Sequence, residues 1–545
     1  MTSALLPPAG RIERPYRDPL RRDPLYREVL RCRDRLARRL TARVGSDGLL
    51  RAPCESRVLE SALALWLLTE EQAAPKAVGR LTRYLRDTLA GRPPDALQSA
   101  LGRAALGLAV PGEVPAALLD SIDHFTADRK RLMFRTLLAE LGAAEFPPVR
   151  PDAYEVPGQQ SWLQPEMTAL KVLAAYGTGA PGLVTARDWA LLAPAARPGP
   201  AWECNNLARL LGLLALRKHP GHRPAVRRVL GDVQAALGAD GGMPFITGLG
   251  LFATATAGLA LVRSGYAGPL VDSMAEALAA RQNVDGGFGF HPGVAQSDVD
   301  DTSYGIEFLR GAGAARHRRV IGAAECYLLA RQNPDGGFPT YARDVPSEIA
   351  MTAGAVNALA ADPAHARVVE RGMRFIAAGQ RPDGSFERGW SRNTSNAVFR
   401  VSLACDAVRG NRAARAGTGP AGRLTWRTDL GAIRRRAVGH LAEVRNEDGG
   451  WGHRPGDPSD PISTAYAAIA LGGSREHRPM LRRAVELLVN CQRSDGGYLS
   501  RPDQAGPRPL LYDVPALADA SVLLGLAHAT AAPPDGDRRT VTGAR

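Results

Sequence analysis

Three acidic residues stand within four positions at Asp298–Asp301, with Val299 as the apolar member of the tetrad. On a helix, Asp298 and Asp301 project from nearly the same side at i and i+3, which leaves Asp300 turned away. Apolar burial and like-charged neighbours both raise a carboxyl pKa. The tetrad therefore suits a carboxylic acid that stays neutral and protonates an isolated alkene where water cannot compete. The alternative is a helix cap whose extra acids merely face the positive end of the helix dipole.

An internal repeat supplies the elements that must position this tetrad. An Asp-Gly pair recurs at intervals of roughly 45 to 65 residues. Its aspartates are Asp240, Asp285, Asp335, Asp383, Asp448 and Asp495. The fuller copies begin with glutamine and end with an aromatic residue, at Gln282–Phe288, Gln332–Phe338, Gln380–Phe386 and Gln492–Tyr498, with a weaker copy at Arg445–Trp451. Glycine ends a helix in the left-handed conformation and the aromatic ring anchors the loop. We interpret these residues as repeat closures without a chemical role.

Helical spacing fills the stretches between the signatures. Between Asp301 and Phe338, for example, Ile306, Phe308 and Leu309 fit one helix face, and alternating β-branched runs are almost absent. Repeated helix pairs bury their faces against neighbours, and a closed ring leaves no exposed end. A chain of 545 residues with 45% hydrophobic residues is long enough for two cores. The predicted fold is all-α, with two α-α barrel domains.

Composition excludes several classes of function. The net charge of +14 is spread through apolar helical segments, so no nucleic-acid partner is expected, whereas an anionic substrate is compatible with it. No apolar run has the length of a signal peptide or of a spanning helix, which predicts a cytoplasmic protein without an integral membrane segment. The six cysteines lie far apart and signal neither a zinc cluster nor a disulfide framework. Residues 1–22 and 531–545 are expected to be disordered.

The repeats resemble the QW motifs of the terpene cyclase and squalene-hopene cyclase superfamily, and Asp298–Asp301 resembles its DxDD protonation motif. Further similarity, to bacterial diterpene cyclases of the copalyl diphosphate synthase type, lies in Cys54–Ala62 and Asp240–Phe245. The resemblance implies a class II terpene cyclase in which Asp300 donates the proton and Asp298 and Asp301 orient and tune it. It also implies β and γ barrels, with residues 23–45 as the first β helix, 46–290 as an inserted γ domain and 291–530 as the remainder of β.

The same resemblance suggests a substrate. Because the membrane-binding helix of squalene-hopene cyclases has no counterpart here, we expect geranylgeranyl diphosphate to be cyclised to a bicyclic, copalyl-type diphosphate. The acidic cluster with which class I enzymes ionise a diphosphate is missing, since the nearest candidate ends in Tyr304, so the diphosphate should be retained. Mg²⁺ is expected from the family, with its ligands not located, and a homodimer is left open. Other prenyl diphosphates and a neutral polyprene remain alternative substrates.

Several further residues are candidates for the substrate cavity. Tyr304, Trp390 and Trp451 could stabilise cations by cation–π attraction, although core packing explains each equally well. Phe245 stands where the plant enzymes carry an asparagine that holds a water, so the terminating base is open. The stretch Arg129-Lys130-Arg131 replaces an acidic Mg²⁺ motif and could pair with a diphosphate, although a solvated helix face is the more common explanation.

Two other classes of protein remain open. A protein prenyltransferase β subunit is also an α-α barrel with Asp-Gly-Gly repeats, but it resembles Asp-x-Cys-Tyr where this chain has Asp301–Tyr304. Without the thiolate its zinc site is not supported. A non-catalytic α-α toroid would keep the repeats and would need no acidic tetrad.

Overall fold

The computed structural model describes residues 24–91, 95–108, 126–156, 158–416, 428–472, 474 and 476–530, with side chains omitted for 411–416. The segments expected to be disordered, 1–22 and 531–545, lie outside these ranges. The helices are α1 (Pro24–Thr41), α2 (Val58–Glu70), α3 (Pro75–Ala90), α4 (Ala96–Ala105), α5 (Ala127–Glu140), α6 (Leu163–Gly177), α7 (Ala186–Leu192), α8 (Asn206–Leu216), α9 (Arg223–Arg228), α10 (Leu230–Ala235), α11 (Gly250–Arg263), α12 (Pro269–Ala279), α13 (Val299–Gly313), α14 (Arg318–Arg331), α15 (Ile349–Leu359), α16 (Ala366–Ala378), α17 (Thr394–Ala416), α18 (Leu430–Glu443), α19 (Pro461–Leu471), α20 (Arg478–Asn490) and α21 (Ala516–Ala529). The strands are β1 (Ser56–Arg57), β2 (Met243–Pro244), β3 (Gln504–Ala505) and β4 (Leu511–Tyr512), paired antiparallel as β1 with β2 and β3 with β4.

The larger unit is a closed ring of helix pairs. Helices α11, α13, α15, α17, α19 and α21 pack each against the next, and α21 packs back against α11. These inner helices are largely buried, as in α19, where every residue is buried. The outer helices α12, α14, α16, α18, α20 and α1 cover them with one face, as in α16, where Val369, Met373 and Ile376 are buried at helical spacing.

The smaller unit has its own hydrophobic core. Helices α2, α4, α5, α6 and α8 make a second circuit of contacts, in which α8 returns to α2. The two cores are separate clusters of buried residues, and Phe245 packs against both. The predicted all-α fold with two α-α barrels is confirmed by this arrangement.

The boundary between the barrels differs from the predicted residue 290. Helices α11 and α12 lie before that residue, yet they pack into the ring that carries the acidic tetrad. The signature at Asp240 resembles the others, and the sequence offered no sign that the chain changes barrel directly after it. Helix α1 packs against α20 and α21, the last outer and the last inner helix of the ring. We propose the remaining domain bounds as predicted.

The repeat signatures join successive helix pairs. Gln282 Nε2 donates to Gly286 O at 2.7 Å and to Val320 O of the next outer helix at 2.8 Å. Gly286 has a φ of 86°, in the left-handed region that glycine adopts without strain. Gln492 repeats the pattern at the end of the chain, where its Nε2 donates to Cys32 O of α1 at 3.2 Å. The last signature thus joins the ring to the first helix.

Candidate active site

The acidic tetrad begins helix α13. Asp298 is the N-cap residue, and its Oδ1 accepts from the Asp301 N–H at 2.8 Å. The backbone before the helix is held by neighbouring repeats, since Asp298 N donates to Phe288 O at 3.0 Å and Val299 N to Thr340 O at 2.9 Å. The cap interpretation therefore describes Asp298, whereas Asp300 points elsewhere.

Asp300 faces a buried guanidinium. Arg400, on α17, donates from Nη2 to Asp300 Oδ1, and its side chain is 3% exposed. Its Nη1 lies 3.7 Å from Glu307 Oε1, and its guanidinium carbon lies 3.8 Å from the centre of the Tyr304 ring. Two carboxyl groups and an aromatic face thus surround one cation. The Asp300 side chain keeps 27% of its surface exposed, whereas residues Asp298 and Asp301 are each 5% exposed.

Burial and charge act differently on the three carboxyls. Burial raises the pKa of Asp300, while the charge of Arg400 and its hydrogen bond act to lower that pKa. Burial raises the pKa of Asp298 to about 6. The pKa of Asp301 lies well above its ordinary value because of burial and the charges of Asp298 and Asp300. Asp301 Oδ2 is buried without a hydrogen-bond partner, which costs less for a neutral carboxyl than for a carboxylate. Burial therefore favours the neutral form of Asp298 and Asp301, beside an Asp300 whose acidity depends on Arg400.

A cavity of about 890 Å³, a volume that includes space open to solvent, lies between the two barrels, and the three acids of the tetrad line its wall. Its surface is largely apolar and aromatic, with residues from the smaller barrel, the ring and the β3–β4 connection. The aromatic lining residues are Trp162, Phe245, Phe252, Phe290, Tyr341, Trp390 and Tyr512. Trp162 and Tyr341 meet edge to face with centroids 5.2 Å apart, and Tyr341 meets Trp390 in the same way at 5.8 Å. A flexible hydrocarbon fits such a surface.

Positive side chains line an adjoining pocket, here called the mouth, which shares Lys130, Tyr341 and Trp390 with the cavity. Arg129 and Lys130 come from α5, and Arg508 comes from the segment between β3 and β4. Arg508 Nη2 lies 2.8 Å from Glu348 Oε2, and its guanidinium carbon lies 4.6 Å from the Trp390 ring centre. Burial lowers the pKa of Lys130 to about 8, and the charges of Arg129 and Arg508 act in the same direction. Cations that repel one another in a partly buried pocket favour binding of an anion.

The residues predicted for the cavity divide into two groups. Phe245 and Trp390 line it. Tyr304 lies under Arg400 and packs edge to face against Phe252, which lines the cavity. Trp451 does not line it: the ring is 1% exposed in the core, and its Nε1 donates to Leu441 O at 2.8 Å.

The basic stretch divides in the same way. Arg129 and Lys130 line the mouth, whereas Arg131 lies 2.8 Å from Asp128 and is not among the lining residues. Sequence reasoning missed three residues of the site. Arg400 binds Asp300, Arg508 lines the mouth and Glu166 lines the cavity. No motif spacing connects any of them to the tetrad, and only the fold brings them together.

Outside the cavity, the described residues contain one group of three potential metal ligands within 4.8 Å of one another, Glu325, Asp362 and His365. Glu325 also pairs with Arg310, which competes for the same carboxylate. No cysteine belongs to this group, and its residues do not line the cavity. Among the described helices, none has the length and hydropathy needed to cross a membrane.

Comparisons with known proteins agree with this geometry. A family profile described as the prenyltransferase alpha-alpha toroid domain matches residues 323–506. A drimenyl diphosphate synthase from Streptantibioticus cattleyicolor is 61% identical over 525 residues, covering 94% of this chain and 97% of that protein. Another, from Streptomyces showdoensis, is 58% identical over 527 residues with the same coverage. The solved ent-copalyl diphosphate synthase from Streptomyces platensis shares the fold, with a TM-score of 0.57 at 18% identity over 92% of this chain and 100% of that chain. The resemblance inferred from the motifs is confirmed, and the chain belongs to the class II terpene cyclases.

Proposed function

We propose that this protein cyclises farnesyl diphosphate to drimenyl diphosphate, with Asp300 as the general acid. The observation that carries the proposal is the Asp300 carboxyl, which is bound to Arg400 on one side and open to an apolar cavity on the other. Both relatives named above, at 61% and 58% identity, are drimenyl diphosphate synthases, which favours a C15 substrate. Geranylgeranyl diphosphate, the substrate expected from the sequence, is the second candidate.

The proposed reaction begins at the alkene farthest from the diphosphate. The Asp300 O–H bond breaks, its proton bonds to the terminal alkene carbon, and the carboxylate left behind stays paired with Arg400. A cation beside Asp300 acidifies it, because Arg400 stabilises the ionised product of proton transfer more than the neutral acid. The neighbouring double bonds then close two rings. A proton leaves a carbon next to the final cation, so the product is an isomer of the substrate with its diphosphate intact.

The cavity supports the later steps by shape and by aromatic faces. A chain folded against Trp162, Tyr341 and Phe252 has its reacting carbons held close together and away from water. Aromatic faces attract a migrating positive charge without capturing it. The tetrad lies in the wall of the cavity and the cations lie at its mouth, so a substrate with its alkene end inward and its diphosphate outward satisfies both.

We propose that Arg129, Lys130 and Arg508 bind the diphosphate. Mg²⁺, which the family implies, commonly takes one or two carboxylates together with phosphate oxygens. Glu348 is the carboxylate that lines this mouth, and it fits that role. When bound there, the ion would neutralise part of the diphosphate charge and so help to hold that end of the substrate.

The test is incubation of the purified protein with farnesyl or geranylgeranyl diphosphate and Mg²⁺, followed by phosphatase treatment and product identification by mass spectrometry and NMR. The expected product is the bicyclic C15 alcohol released from drimenyl diphosphate. A bicyclic C20 product alone would instead support the substrate expected from the sequence. Turnover of squalene but of no prenyl diphosphate would refute both. A parallel reaction with excess EDTA tests the Mg²⁺ proposal, which predicts loss of turnover and recovery on adding Mg²⁺.

A further inference from the structure

A buried carboxyl lies in the cavity wall contributed by the smaller barrel. Glu166, in the first turn of α6, is 4% exposed and lines the same cavity as Asp300, which belongs to the ring. Its Oε1 accepts from Asn205 Nδ2 at 3.3 Å. Asn205 is itself fixed, because its Oδ1 caps α8 by accepting from Ala208 N at 3.0 Å. The capping bond turns the Asn205 amide so that its N–H₂ faces Glu166, which fixes this carboxyl in place.

The charges around Glu166 suit proton uptake. Burial raises the pKa of Glu166 to about 7, and the charges of Lys130 and Arg129 are the main opposing influences, together with the Asn205 hydrogen bond. A carboxyl with a pKa near the working pH is available as a base and then holds the proton it has taken. The proposed protonation by Asp300, tuned by Asp298 and Asp301, leaves the Glu166 carboxyl of the same cavity without a role.

The position of Glu166 relates it to the end of the reaction. The charges of Lys130 and Arg129 act directly on Glu166, and both cations line the mouth, so Glu166 lies toward the half of the substrate that carries the diphosphate. In a bicyclisation that starts at the far alkene, the last cation forms in that half. The base that ends the reaction must reach a carbon beside this cation while remaining apart from the acid that started it.

We propose that Glu166 is the base that ends the cyclisation, an inference that rests on the proposed function. The C–H bond on a carbon next to the final cation breaks, its electron pair becomes the new double bond, and the proton goes to a carboxylate oxygen of Glu166. Asn205 holds that carboxylate in position. The proton gained by Glu166 balances the proton lost by Asp300, so no other reactant is needed before both groups exchange with water between turnovers.

The test compares Glu166→Gln with Glu140→Gln, a matched substitution of a buried carboxyl in the same barrel. Glu140 is 5% exposed, pairs with Lys218 at 2.8 Å and does not line the cavity. Each variant is incubated with farnesyl diphosphate, and all products are quantified after phosphatase treatment. For Glu166→Gln we expect the share of the wild-type alkene to fall by about 10-fold or more, with double-bond isomers and hydroxylated products in its place. Glu140→Gln should give the wild-type product.

Glu166→Asp provides a second measurement, because it keeps a base on a shorter arm and should restore part of the wild-type product. If Glu166→Gln raises KM but leaves the product distribution unchanged, Glu166 is only a counterion for Lys130 and the inference fails. Thermal melting confirms that each variant is folded. Failure of the proposed function is distinguishable, since it would appear as absence of turnover in the wild-type protein itself.

Discussion

Replacing Asp300 by asparagine removes the acidic proton while keeping nearly the same side-chain shape. An amide cannot act as a Brønsted acid toward an alkene, and the apolar cavity holds few groups that could take its place. Burial favours the neutral form of the neighbouring Asp298 and Asp301, but both residues are only 5% exposed. We therefore expect Asp300→Asn to abolish cyclisation of the substrate.

The size of the effect follows from the role. General acids commonly contribute about 10² to 10⁴ in rate, and here the upper end or more is expected because neither water nor a second exposed acid can substitute. A loss of about 10⁴ corresponds to about 5 kcal/mol in the activation free energy. Stability should change less. Arg400 loses an ionic partner but keeps Glu307 at 3.7 Å and the Tyr304 face, so a loss of about 1 to 3 kcal/mol in the free energy of unfolding is expected.

The assay is product formation from farnesyl diphosphate by Asp300→Asn, Asp298→Asn and Asp301→Asn, with thermal melting of each variant. Asp298→Asn and Asp301→Asn should lower the rate by amounts that differ from one variant to the other, because the two residues orient and tune Asp300 without donating its proton. Asp285→Asn, at a repeat signature outside the cavity lining, serves as the matched control and should turn over normally. If folded Asp300→Asn keeps near wild-type turnover, the assignment of the acid is wrong and the tetrad is a helix cap.

Three further predictions concern the residues around the acid and the substrate. Arg400→Gln should raise the pKa of Asp300, because Arg400 lowers it in the wild-type protein. The weaker acid should lower the maximal rate and move the alkaline fall in activity to higher pH. A pH–rate profile that keeps its position and shape would contradict this prediction. Phe245→Asn should yield hydroxylated or altered double-bond products, detected by mass spectrometry, because it places a water-binding amide in the cavity wall; an unchanged product and rate would make Phe245 a core residue. Arg508→Ala should raise KM by about 10- to 100-fold with little effect on kcat, because that change in affinity corresponds to the loss of one hydrogen bond to a charged group. Replacing the exposed Arg493 by alanine is the control and should leave both constants unchanged.

The local geometry of the tetrad could be predicted from the sequence because it depends on adjacent residues at a helix start, where Asp298 caps the helix through Asp301. Asp298 and Asp301 meet at the helix start, and Asp300 points away, as the i and i+3 spacing requires. The repeats were likewise visible because each signature has a local purpose, in which glutamine, glycine and an aromatic residue close one helix pair. Both features depend on neighbours in the chain.

The remainder of the site depends on contacts that cross the fold. Arg400 lies 100 residues after Asp300, and no spacing rule connects them. Trp451 was a candidate for the cavity, yet it occupies the anchoring position of its repeat signature, which directs the ring into the core. Arg129, Lys130 and Arg131 are consecutive on a helix, so successive side chains point about 100° apart and all three cannot face one pocket.

The joining of α1 to the last helices has a consequence for the order in which the protein forms on the ribosome. Arg39 Nε lies 2.8 Å from Asp519 Oδ2, a pair separated by 480 residues. At about 5 to 20 residues per second, roughly 20 to 100 s pass between the synthesis of these two residues. During that interval the buried face of α1, which includes Leu36 and Leu40, lacks α20 and α21, against which α1 packs, whereas every helix of the smaller barrel is synthesised well before them. The nascent chain therefore carries an amphipathic helix whose apolar face is not yet covered by α20 and α21, and the ring closes only when α21 leaves the ribosome.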